Sequence, residues 1–218
     1  GTLGKEAYAF VDFLKEAKQS WWQMLPVGPT SYGDSPYQSF SAYAGNPYFV
    51  DLTILCEEGL LTKAELERVD WGSDPAKVDY GKIYLNRFEL LRKATDRGWE
   101  KDAAAVKSFE QENAGWLPDY VLFMALKRHF GMRAWTEWED EDIRLHKEEA
   151  VERYRKELAD DVQLFTYIQF LFFKQWNVLR NYAHEQGIGI IGDMPIYVAM
   201  DSADVWANQK FFQLDEKG

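Results

Sequence analysis

Hydrophobic positions recur at two spacings along this chain, and the spacing divides it into helical and strand-like stretches. Leu3, Ala7, Phe10, Leu14 and Ala17 fall three or four residues apart, which predicts an amphipathic helix over residues 3–19. "WWQMLPV" is a short apolar run of strand composition, stopped by Gly28-Pro29. After Pro47, "YFVDL" has the same character. Thr62-Lys-Ala-Glu65 reads as a capping box opening a helix. From about residue 80 to 186 the pattern is helical almost throughout. Ile83, Arg87, Phe88, Leu91 and Ala94 share a face, Pro118 suits a first helical turn, and Gly131 and Gly187 suit helix ends. "IGIIGDMPIYV" then returns to β-branched composition, and Asp201-Ser-Ala-Asp204 suggests the cap of one more short helix.

Three strand candidates are thus spread through a largely helical chain. Parallel strands need crossovers, and helices supply them. The pattern predicts an α/β fold with a large helical insertion between the second and third strands.

Composition narrows the function classes. The 218 residues hold 36 acidic and 25 basic side chains, a formal charge of −11, with no basic stripe of the kind nucleic acid requires. A neutral or cationic ligand fits that balance better. Cys56 is the one cysteine, so no internal disulfide forms, and no apolar run reaches the length of a membrane span. The opening "GTLGKEAYAF" lacks the layout of a signal peptide, so the cytoplasm is the expected compartment.

His129, His146 and His184 fall on predicted helices without acidic partners at ligand spacing, and no metal role is assigned to them. "EWEDED" lacks the glycine and spacing of a calcium loop and reads as a solvated helix start. Two features remain. Asp193 ends an apolar strand candidate, the position where parallel α/β folds gather catalytic groups; a carboxylate capping the next turn would look the same. "YGDSPYQSFSAYAGNPY" places five aromatic rings on a segment broken by Gly33, Pro36, Gly45 and Pro47. Tyrosine joins a flat apolar face to a hydroxyl, which suits a sugar, although such rings also pack loops onto cores. Core packing is the reading for Phe40 and Tyr48, whereas Tyr32 and Tyr37 sit beside breakers in a polar run. The tryptophans of "AWTEW" and the aromatics of "LFTYIQFLFFKQW" recur at core spacing.

"LPVGPTSYGDSPYQSFSAYAGNPYFVDL" and "GIGIIGDMPIYVAMDSADVWAN" resemble the amylomaltases, bacterial 4-α-glucanotransferases related to plant disproportionating enzyme. The helices between them, including "ERYRKELADDVQLFTYIQFLFFKQW", are similar too. The resemblance implies an incomplete TIM-type (β/α)8 barrel of the α-amylase superfamily with a large helical insertion. Residues 1–55 would hold the first barrel strands and the Tyr-rich active-site loop, 56–160 the helical insertion, and 161–218 the return helix, third strand and following loop. It implies transfer of α-1,4-glucan segments between malto-oligosaccharides by a retaining mechanism using two carboxylates and no cofactor. Tyr37 matches the tyrosine of "SPYQ" that stacks against the sugar at the cleavage site. Asp193 matches the aspartate of "GDxPI", which supports that subsite without being the nucleophile. Ser35 would contact glucan beside Tyr37, and Tyr32 and Tyr84 correspond to a second glucan contact outside the cleft.

Family members carry their nucleophile in a downstream Arg-x-Asp-His segment, followed by the acid/base glutamate, and this sequence contains neither motif. The expectation is an N-terminal part of a 4-α-glucanotransferase, inactive alone, whose partners are malto-oligosaccharides and the remaining C-terminal part of the enzyme. Its open sheet edge would promote association. The alternative is a fragment that binds malto-oligosaccharides and does no chemistry. A related superfamily hydrolase is the third reading.

Overall fold

The computed structural model of the chain describes residues 1–74 and 77–215, the side chain of Tyr32 excepted. In chain order the elements are α1 (Lys5–Glu16), β1 (Trp21–Gln23), α2 (Leu52–Glu57), α3 (Lys63–Glu67), α4 (Tyr80–Gly98), α5 (Ala103–Glu112), α6 (Leu117–His129), α7 (Glu141–Arg144), α8 (Glu148–Glu157), α9 (Ala159–Glu185), β2 (Gly189–Ile191) and α10 (Ala203–Ala207). The structure is mostly helical with a small sheet. It divides into two compact units, one of residues 1–25, 45–107 and 167–193, the other of 26–44, 108–166 and the remainder from 194. Among the described residues no helix is long and apolar enough to cross a membrane.

The first unit carries the sheet. β1 and β2 run parallel, with Trp21, Trp22 and Gln23 opposite Gly189, Ile190 and Ile191. Gly189 is required where it stands, because a Cβ there would lie 2.3 Å from the Trp21 ring. One more bond, from the Met24 amide to the Ile191 carbonyl at 3.0 Å, extends the ladder. Pro26 then offers no donor, and the chain leaves the sheet.

The expected strand over "YFVDL" does not form. Pro47–Phe49 is a 3-10 turn whose start is capped by the Asn46 side chain, which accepts the Tyr48 amide at 2.9 Å. Asp51 caps α2 by accepting the Thr53 and Ile54 amides at 2.8 and 3.0 Å. Side chains at both ends thus outcompete a ladder for the local backbone groups. The groups still unpaired are taken by side chains from afar. Gln169 of α9 exchanges two hydrogen bonds with the Gly45 peptide groups, accepting its N–H at 2.8 Å and donating to its carbonyl at 2.9 Å. Gln175 does the same for Asp51, at 2.7 and 3.1 Å. Buried Arg87 of α4 donates to the carbonyls of Pro47 and Val50. Burial pushes that guanidinium down to about 10, against the attraction of Asp51.

The expected capping box is present. Thr62 and Glu65 exchange bonds at the start of α3, and Arg97 of α4 grips both Glu65 carboxylate oxygens at 2.8 Å.

The second unit is built on rings. Trp135, Trp138 and Trp206 are fully buried, and Phe123 of α6 lies 5.7 Å from Trp138 and 5.8 Å from Trp206. Both tryptophans of "AWTEW" are core, as are Tyr167, Phe170 and Phe172 of α9 in the first unit, whereas Phe173 and Trp176 are half-buried. Asp140, from "EWEDED", caps α7 as a helix start should. His146 stands in a turn with φ of 52° between α7 and α8, off any helix.

Replacing Gln169 with Leu should cost roughly 3 kcal/mol, because two buried backbone groups of Gly45 lose their partners. The urea midpoint measures this, and a loss under half a kilocalorie would contradict the role given to the amide. Arg97, and then the Thr62 amide, hold the Glu65 carboxyl well below the usual carboxylate range. A depressed carboxylate stabilises above its unfolded pKa and loses that contribution as pH falls. Glu65→Gln should therefore lower the melting temperature at neutral pH, with the gap to the parent closing as pH drops below about 5.

Candidate functional site

The Tyr-rich segment is a built loop of the second unit. Thr30 and Ser39 form an antiparallel bridge at its base, and the Ser31 amide and hydroxyl both donate to the Gln38 carbonyl, at 2.9 and 2.8 Å. Tyr32–Asp34 is a 3-10 turn in which Gly33 has φ of 69° and Asp34 of 54°. Gly33 is the residue that enters this left-handed region without strain. Ser35 follows, and its hydroxyl accepts the Tyr37 amide at 3.3 Å. Tyr37 sits at the far bend, 44% exposed, on backbone tied down from both sides.

Ser35 and Tyr37 are therefore brought together, with Ser35 shaping the turn that presents Tyr37. The backbone of Tyr32 opens that turn, while its side chain lies outside the described residues. Asp193 and Tyr84 belong to the first unit. Asp193 is half-buried and follows β2 by two residues, so its expected place at a strand's carboxyl end holds. Tyr84 is 46% exposed on α4, edge-on to Phe88 one turn later at 6.1 Å. Phe40 packs on Phe123 at 6.2 Å, and Tyr48 lies edge-on to Phe88 at 6.4 Å, both as loop packing predicts. Tyr43 stacks on Trp116 at 6.2 Å.

The residues that hold the loop escaped the sequence reading. The Ala203 amide, in the first turn of α10, donates to the Phe40 carbonyl at 2.9 Å. Asp204 Oδ2 accepts the Ala42 amide at 2.8 Å. Burial pushes the Asp204 carboxyl up from its ordinary value, and the Ala42 N–H pulls the other way. Ser202 caps α10, as the Asp-Ser-Ala-Asp pattern suggested, whereas Asp201 faces Lys127 at 2.5 Å. The one available signal was Lys127 itself, a cation closing the apolar run "YVLFMALK". Among the described residues no group of three His, Cys, Asp or Glu side chains is placed to hold a metal. What this geometry can do is present an aromatic face and hydroxyls to a flat, neutral, polar ligand.

The profile of a family described as 4-alpha-glucanotransferase matches residues 1–218. The chain is 52% identical over 219 residues to a 4-alpha-glucanotransferase of Streptococcus pneumoniae, covering all of this chain and 43% of that protein. It is 48% identical over 217 residues to one from Clostridium butyricum, covering 100% of this chain and 44% of that one. Among solved structures it is similar to an amylomaltase from Streptococcus agalactiae in complex with acarbose, at 44% identity and a TM-score of 0.96, across all of this chain and 44% of that one. The chain thus spans less than half the length of the curated relatives it matches.

Proposed function

The chain belongs to the 4-alpha-glucanotransferase family, and we propose that it forms the sugar-gripping part of an enzyme that moves α-1,4-glucan segments between malto-oligosaccharides. The observation that carries this reading is the half-exposed Tyr37 on a braced loop, in a chain that matches along its whole length a structure named for its bound acarbose, a pseudo-oligosaccharide. The ring of Tyr37 stacks on the C–H face of a glucosyl unit that Ser35 also contacts, and Asp193, in the first unit, accepts hydroxyl hydrogen bonds from glucan. Tyr84, half-exposed on α4, makes a glucan contact outside the cleft.

The chemistry is a retaining double displacement. One carboxylate attacks the anomeric carbon while a second protonates the leaving oxygen; a sugar hydroxyl then replaces the enzyme carboxylate. Neither role is assigned to a residue of this chain. Tyr37 and Asp193 both stand in segments leaving the carboxyl ends of the paired parallel strands, the end at which (β/α)8 barrels collect their catalytic groups. On this reading β1 and β2 are adjacent staves of such a barrel, α3–α8 belong to the large insertion between them, α9 is the return helix, and the rest of the enzyme supplies the other staves. The apolar side chains of Met194, Ile196 and Tyr197, 83%, 90% and 84% exposed, are then a surface that the rest of the barrel covers.

Mass-verified chain incubated with maltotriose should release no glucose, and tryptophan fluorescence should report maltotriose binding. Tyr37→Ala should weaken that binding roughly tenfold, about 1.4 kcal/mol, whereas Tyr37→Phe should retain most of it. Equal binding by the parent and Tyr37→Ala would sink the assignment of the loop. Glucose release by the chain alone would show that a nucleophile is present after all.

A further inference from the structure

We propose that Lys127 is a positioning residue for the Tyr37 loop, acting through Asp201 and the first turn of α10. The proposal rests on the sugar-binding reading of Tyr37 for its effect on ligand and on geometry alone for its effect on the loop. Lys127 is 1% exposed near the end of α6, where it closes the buried and almost wholly apolar run from Tyr120 to Leu126. A buried ammonium is tolerated only where its hydrogens are matched. Here Nζ donates to Asp201 Oδ2 at 2.5 Å and to the Arg133 carbonyl at 2.7 Å, and it lies 5.2 Å from the centre of the Phe40 ring. Its polar partners and its π contact therefore fix two segments at once, the approach to α10 and the loop itself.

The approach to α10 is held from the other side too. Asp201 Oδ1 accepts the Trp135 amide at 3.1 Å, and Trp135 Nε1 donates to the Met200 carbonyl at 2.8 Å. With residues 200 and 201 so fixed, Ser202 caps the helix, and Ala203 and Asp204 reach the loop through the Phe40 carbonyl and the Ala42 amide. Tyr37 lies three residues before Phe40. A leucine at 127 would fill the core equally well, but it would leave Asp201 without its cation. The first turn of α10 would then lose the anchor that sets where Ala203 and Asp204 meet the loop.

The test compares the parent with Lys127→Met and Asp201→Asn, well below their melting temperatures, by amide hydrogen exchange and maltotriose titration. Expected for both variants is roughly tenfold faster exchange at Ala42 and Ala203, with exchange at Gly45 unchanged. Maltotriose affinity should fall by about five- to tenfold, approaching the value for Tyr37→Ala. Asp201→Asn keeps the size of the side chain, so it decides the matter should Lys127→Met fail to fold. A lowered melting temperature with unaltered exchange at Ala42 would overturn the proposal, leaving an ordinary core pair. Should the parent itself not bind maltotriose, the sugar reading of Tyr37 fails while exchange at Ala42 still decides the role of Lys127.

Discussion

Two glutamines of one helix determine how residues 45–51 run, and much of the first unit depends on that path. Gln169 and Gln175 each treat a peptide as a neighbouring strand would, accepting its N–H and donating to its C=O. The segment is thereby satisfied inside the protein without belonging to a sheet, which is the condition any buried irregular backbone must meet. Arg87 completes the set from α4. Asp51, fixed at its backbone by Gln175, turns its carboxylate to two tasks, capping α2 and accepting the Thr2 hydroxyl at 2.5 Å. The Leu3 amide bonds the Phe49 carbonyl at 2.8 Å, so the start of α1 is set by the same segment.

That arrangement marks the limit of what the sequence could disclose. Helix caps and ends are local events, and Thr62-Glu65, Ser202 and Gly187 were legible because their partners lie within a few residues. The tryptophans of "AWTEW" were legible as core from their spacing, although they stand at the two ends of a 3-10 turn. "YFVDL" misled because its composition is that of a strand, while the decision is made by Asn46 and Asp51 at its ends and by glutamines more than 120 positions away. A glutamine within an apolar helical stretch carries no sign of the peptide it will pair with. The loop was visible as a concentration of tyrosines and breakers, and the resemblance to a family singled out Tyr37. Of its anchors, Asp204 was not visible, because an acidic residue in a first helical turn is the ordinary expectation there, and Lys127 showed only as a cation closing an apolar run, with no sign of its partner.

The loop itself shows how an aromatic ring can be offered to solvent without being left to wander. An exposed tyrosine on slack backbone would lose much of its binding energy in becoming ordered. Here the backbone that carries Tyr37 is already held, by the Ser31–Gln38 bonds, the Ser35 hydroxyl on the Tyr37 amide and the two ties from α10. The net charge of −11 fits the proposed neutral ligand, which has no field to overcome where a phosphate or nucleic acid would.

The segment after Asp193 carries an exposed apolar strip. β2 ends at Ile191, and Pro195 cannot donate to a ladder, so the apolar run that followed in the sequence does not continue as strand. Met194, Ile196 and Tyr197 turn outward within four residues of one another. Covering one such side chain stabilises by roughly 1.5–3 kcal/mol, so three together offer an amount comparable to the cost of bringing two bodies together. If the covering body is part of the same polypeptide, most of that association cost disappears, because a linked segment is already near. The exposure pattern therefore marks residues 194–197 as an apolar surface suited to being covered by another body.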